Sequence, residues 1–125
     1  MKIATIIVRV LMGLMFLFAS ITFLFHLFPQ PPLSGNLKIF MDGIVASGYL
    51  MTLVKIIELI CGALFLTGFF VPLATVVIFP IVVNIVCVHF FLDQKGLPIA
   101  LAILAANLFL AYANRKHYKG LFEVK

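Results

Sequence analysis

The sequence predicts an all-α fold, a membrane four-helix bundle with a short interfacial helix between helices 1 and 2. Three observations predict it. Hydrophobic residues make up 65% of the 125 and charged ones 10%, which leaves too little polar surface to coat a water-soluble globule. The apolar residues gather into four runs, each long enough to cross about 30 Å of hydrocarbon. Between the first two lies a segment with helical apolar spacing that is too short and too polar to span.

The first run, residues 3–28, exceeds the roughly 20 residues a crossing needs, so it spans with tilt. Pro29, Pro31 and Pro32 forbid its continuation. Its start resembles a secretory signal, but Arg9 interrupts the stretch and no small-x-small cleavage site is clear, so it reads as a retained helix. In 34–48, Leu37, Phe40, Met41, Ile44 and Val45 share one face while Lys38, Asp42 and Ser47 fall elsewhere. Asn36 suits its N-cap and Gly48 its stop.

Runs two and three, 49–70 and 71–92, are joined by a tight turn near Phe70 to Pro72. No charged residue lies between Glu58 and Asp93, and about 34 residues in one helix would measure about 51 Å, too long for a single crossing. Asp93, Gln94, Lys95 and Gly96 make the next turn, 97–113 is the fourth run, and 114–125 is a polar, basic tail. The whole reads as one transmembrane domain.

Four crossings put both termini on one side. Lys2, Arg115, Lys116, Lys119 and Lys125 flank that side, so the positive-inside rule makes it cytoplasmic, with a bacterial cytoplasmic membrane the expected home. Tyr49, Tyr112 and Tyr118 must supply the aromatic belt, since Trp is absent. The net charge of +5 does not point to nucleic acid, because the basic residues crowd the tail instead of covering a groove-sized surface. Cys61 and Cys87 stand alone in apolar runs and read as buried structural thiols.

Polar side chains inside the runs need an explanation: Arg9, His26, Lys55, Glu58, Asn84, His89 and Asn107. A charge at mid-membrane costs about 2.5–3.5 kcal/mol on insertion scales, so such groups face the bundle interior and find partners. Glu58 is the leading candidate. Lys55 precedes it by three residues on the same helical face, and Arg9 on the first helix has a fork long enough to reach toward it. Asn84 and Asn107 are expected at similar depth, as interhelical hydrogen-bonding glue or as the lining of a pocket for a polar headgroup or quinone ring. His26 and His89 fall near the outer ends of helices one and three. They read as ordinary hydrogen-bonded histidines, with bis-histidine haem as the alternative and no metal site expected. Gly13 repeats the face of Arg9 and Gly62 that of Glu58, which lets the first two spans approach closely. Pro80 stands four residues before Asn84 and can bend the third span.

These residues resemble the DoxX-like family of small four-helix membrane proteins. Arg9, Gly13 and Phe16 look like its opening arginine, glycine and phenylalanine. Glu58, Gly62, Gly68 and Ala74 look like its glutamate-glycine-glycine-alanine signature, and Asn84 with His89 like one branch of the family. Where many members carry a lysine late in helix one, this chain has Thr22 and Phe23. Where a basic residue often follows the second helix, it has Val71 and Pro72. The family takes its name from a subunit of a thiosulfate:quinone oxidoreductase, so the resemblance implies a quinone- or lipid-binding subunit that supports membrane redox chemistry. Arg9, Glu58, Asn84 and His89 would then form the polar pocket, with Lys55, Asn107 and His26 in supporting positions. A small proton-coupled transporter and a structural subunit of a partner complex or homo-oligomer are the other readings, and whether the protein is an enzyme stays open.

Overall fold

The computed structural model describes residues 2–27 and 32–124 and is helical throughout, with no strand among them. α1 spans Lys2–Leu24, α2 Gly35–Ala46, α3 Leu50–Thr67, α4 Val71–Phe91 and α5 Leu97–Ala113; a 3₁₀ turn, Gln94–Gly96, precedes α5 and another, Arg115–Phe122, follows it. Helices α1, α3 and α4, and α5 together with the 3₁₀ turn that leads into it, are each long and apolar enough to cross a membrane. They pack in a ring in which α1 touches α3, α3 touches α4, α4 touches α5 and α5 closes on α1. This is a multi-pass membrane four-helix bundle.

Its core is thin: Met12 and Phe16 from α1, Cys61 and Phe65 from α3, Val71, Ala74, Ile78 and Val82 from α4, and Leu110 from α5. Ile7, Leu11, Phe18, Ile60, Val77, Phe91, Ile99 and Leu108 point outward. In water that surface would aggregate, but against acyl chains it needs no hydration. With the hydrophobic effect largely absent between helices, close backbone approach has to hold them together.

That approach is made by two glycines on α1 and α3. A Cβ on Gly13 would lie 2.8 Å from the Leu66 backbone nitrogen and 2.9 Å from the Gly62 carbonyl; one on Gly62 would lie 3.0 Å from the Leu17 nitrogen. No side chain fits there. The seam runs antiparallel, with Arg9 opposite Gly68 and Phe23 opposite Lys55.

Several boundaries differ from the sequence reading. Helix one was expected to reach residue 28, but α1 stops at Leu24. His26 turns to a left-handed φ of 53°, and the Leu27 and His26 amides donate to the Thr22 and Phe23 carbonyls, a Schellman-type ending on a non-glycine residue. Pro29 and Pro31, expected to enforce that stop, lie outside the described residues. The interfacial helix starts one residue before the expected cap: Ser34, not Asn36, occupies the N-cap, and Gly48 follows the helix end at φ 81°. α3 ends at Thr67, with Gly68 left-handed and its amide bonded to the Leu64 carbonyl. α5 begins and ends where the apolar run does. The tail, expected to be merely polar, folds into its 3₁₀ turn and returns to the bundle, the Tyr118 hydroxyl donating to the Pro72 carbonyl at 2.8 Å. Tyr49 and Tyr112 stand exposed at opposite ends of the bundle, as a belt requires. Cys61 is buried as expected, but Cys87 is exposed on α4, so it is a lipid-facing thiol.

Candidate functional site

Where α3 and α4 diverge, a cavity of about 650 Å³ opens between them and under α2. α2 contributes Phe40, Met41 and Ile44 to its wall, the same apolar face the sequence spacing assigned to it. α2 buries none of its own residues and meets the bundle lightly through α3, as an interfacial helix lying over an opening would. Its outer face carries an exposed Lys38–Asp42 pair at 2.7 Å, one helical turn apart.

Four of the polar residues singled out in the sequence line this cavity: Lys55, Glu58, Asn84 and His89. α3 supplies the first two one turn apart, and the Lys55 ammonium forms an ion pair with a Glu58 carboxylate oxygen at 3.3 Å, with Glu58 only 4% exposed. Lys55 also sits over the Phe23 ring, 5.6 Å from its centroid, so an aromatic face from α1 helps to replace the water it lacks. One of its three N–H groups serves Glu58, which leaves others for a third party.

Asn84 projects from α4, open to the cavity, and its amide makes no hydrogen bond among the described residues. Pro80, one turn before it, cannot donate a backbone hydrogen bond to the Val76 carbonyl, and it lines the same cavity. His89 is held at the rim: its Nδ1 lies 3.1 Å from the Asp93 carbonyl and 3.9 Å from the Asp93 carboxylate. A carbonyl only accepts, so Nδ1 carries the hydrogen in this contact, and in that tautomer Nε2 is left as an acceptor. Gly96 is required beneath this ring, since a Cβ there would occupy the place of His89.

The other expected members lie elsewhere. Arg9 does not reach Glu58: its guanidinium fills the space a side chain on Gly68 would take, at the C-terminal end of α3, where a cation complements the helix dipole. Asn107 is buried on α5 but lines a second cavity, so the two asparagines do not share one polar layer. Phe79 and Pro80, about 100° apart on α4, line different cavities. His26 is exposed at the α1 terminus and does not line the cavity. The sequence reading missed Asp93 as the His89 partner, although their spacing of four was a usable signal, and Gly68 as the seat of Arg9.

Comparison with known families separates kinship from chemistry. The family model for DoxX matches residues 4–91, well over half of the chain. The chain belongs to the DoxX family. The DoxX match covers α1 to α4, and so every residue lining the α3/α4 cavity, and it ends before α5 and the tail. No curated protein and no solved structure matches the chain at a significant level.

Proposed function

We propose that this DoxX protein is a quinone-binding membrane subunit whose ligand enters between α3 and α4. The observation that carries the reading is the convergence of a Lys55–Glu58 pair with its carboxylate buried, an Asn84 amide unbonded among the described residues and an oriented His89 ring on one apolar-walled cavity. A volume of about 650 Å³ falls in the usual range for small-molecule sites.

The donor set fits a quinone ring. Lys55 and the Asn84 amide donate to carbonyl oxygens, the Asn84 carbonyl and His89 Nε2 accept from hydroxyls, and Met51, Val54, Ile81 and Ile85 give the ring and tail an apolar wall. A bound quinone would supply two-electron, two-proton chemistry. The chain's part is to orient the ring, exclude water, and hold protons at His89 Nε2 and within the Lys55–Glu58 pair. The redox partner would dock from outside the bundle. Lys2 and the basic tail favour a cytoplasmic placement of both termini, which sets the cavity and α2 at the external side of a bacterial inner membrane.

The test is binding of decylubiquinone to the protein in nanodiscs. Asn84→Leu should weaken it about tenfold without lowering the unfolding temperature, because Asn84 has no bond to lose. Glu58→Gln should abolish quinone-dependent activity in reconstituted membranes while the protein stays folded. Equal binding by wild type and Asn84→Leu would reject the site; proton flux that persists with no redox couple present would favour transport instead.

A further inference from the structure

The second cavity, about 380 Å³, lies near the opposite end of the bundle, between α4, α5 and the C-terminal 3₁₀ turn. Its walls are Val76 and Phe79 from α4, Leu108 and Ala111 from α5, and Leu121 from the turn. Three polar residues join them: Thr75, Asn107 and Tyr118. Two are satisfied internally, the Thr75 hydroxyl donating to the Val71 carbonyl at 2.7 Å and the Tyr118 hydroxyl to that of Pro72. Asn107 is different. It is 1% exposed, and among the described residues neither its amide nitrogen nor its amide oxygen has a hydrogen-bond partner.

A buried carboxamide with nothing to bond is costly anywhere and more so inside a membrane, where no bulk water relieves it. A leucine of similar size would pack the same place without that penalty. Water alone is a poor solution, because the space far exceeds the roughly 30 Å³ one molecule needs and its apolar walls offer few further partners. The shape and chemistry specify what is missing. An asparagine amide presents a donor and an acceptor side by side, and its complement is a group that presents an acceptor and a donor in the same way. Among the described residues no charged side chain lines the cavity, so a neutral head suits it, and the walls call for hydrocarbon behind it.

We infer that the cavity between α4, α5 and the C-terminal turn is a second ligand site, which takes a long-chain carboxylic acid in its protonated form, or the matching primary amide, paired to Asn107. The site is independent of the cavity under α2. Both amide atoms are closed off in this conformation, so the head reaches them when a wall shifts. The wall suited to shifting is the 3₁₀ turn, which lies outside the spanning helices and is tied to α4 through Tyr118 and Pro72.

The experiment uses the full chain in phosphatidylcholine nanodiscs with a photoreactive palmitic acid, its adducts mapped by mass spectrometry. Adducts are expected on the segments around Phe79, Leu108 and Leu121. Palmitic acid and palmitamide should compete for labelling, and methyl palmitate, which lacks the donor, should compete about fivefold to tenfold less well. Asn107→Leu should erase that preference for acid over ester and leave the unfolding temperature of the unliganded protein unchanged or raised. Labelling spread over the lipid-facing surface or confined to the α3/α4 cavity would overturn the inference, as would equal competition by the ester. A lower unfolding temperature for Asn107→Leu would also overturn it, because Asn107 would then be bonding another helix. The acid-against-ester comparison on wild type decides the matter even if that variant does not fold.

Discussion

Among the spanning helices α3 has two neighbours and treats them in opposite ways. Toward α1 it presents Gly62, and the two backbones come so close that no Cβ fits. Toward α4 it presents Lys55, Glu58, Met51 and Val54, and the helices stand apart around a cavity. Nothing about helical propensity separates these faces; residue size and polarity do. The seam stabilises the bundle by packing, and the gap holds polar groups that packing would exclude. The lesson is that close backbone packing and the cavity proposed to bind a ligand sit on different faces of one helix.

The sharpest way to break this division is to unbalance the gap's ion pair. Lys55→Met leaves Glu58 buried without its cation and is expected to cost about 3–5 kcal/mol, whereas Lys55→Met combined with Glu58→Met should recover most of that loss, since an apolar pair needs no desolvation compensation. Chemical unfolding in detergent compares the two. Next in size, Gly13→Ala forces a methyl group against the Leu66 and Gly62 backbone and should cost about 2–3 kcal/mol, seen as a lower melting temperature, with quinone affinity of the folded fraction unchanged.

The tail offers a smaller effect. Tyr118→Phe removes the bond to Pro72 and should cost about 1 kcal/mol. Burial pushes the Tyr118 phenol above the ordinary tyrosine range, with the neighbouring Thr75 hydroxyl partly opposing it. The folded state therefore holds this proton more tightly than the unfolded chain does, and the stability it contributes is complete below about pH 10 and lost as pH rises further. Alkaline unfolding curves of wild type should show that loss and those of Tyr118→Phe should not. Smallest for stability is Val54→Phe, which fills the gap: melting should shift by less than about 1 kcal/mol while decylubiquinone binding disappears.

Much of this arrangement was legible in the sequence. The four spans, the interfacial helix and the paired glycines follow from hydropathy, periodicity and residue size, and the Lys55–Glu58 pair follows from spacing on one helix. What failed depended on how the helices are set against one another, in register and in rotation. Arg9 was expected at Glu58 because both lie in adjacent spans, yet the antiparallel register of α1 and α3 sets it opposite Gly68. Asn84 and Asn107 were grouped by depth, but depth does not fix azimuth, and they line different cavities. The return of Tyr118 to Pro72 joins residues far apart in the chain, and no local pattern encodes it.

The most direct measurement is nitrogen NMR of the lysine and histidine side chains in nanodiscs as decylubiquinone is added. The proposed site predicts that Lys55 Nζ and His89 Nε2 shift together while Lys38 and Lys116 stay still. Shifts absent from Lys55 and His89, or spread evenly over every lysine, would contradict it.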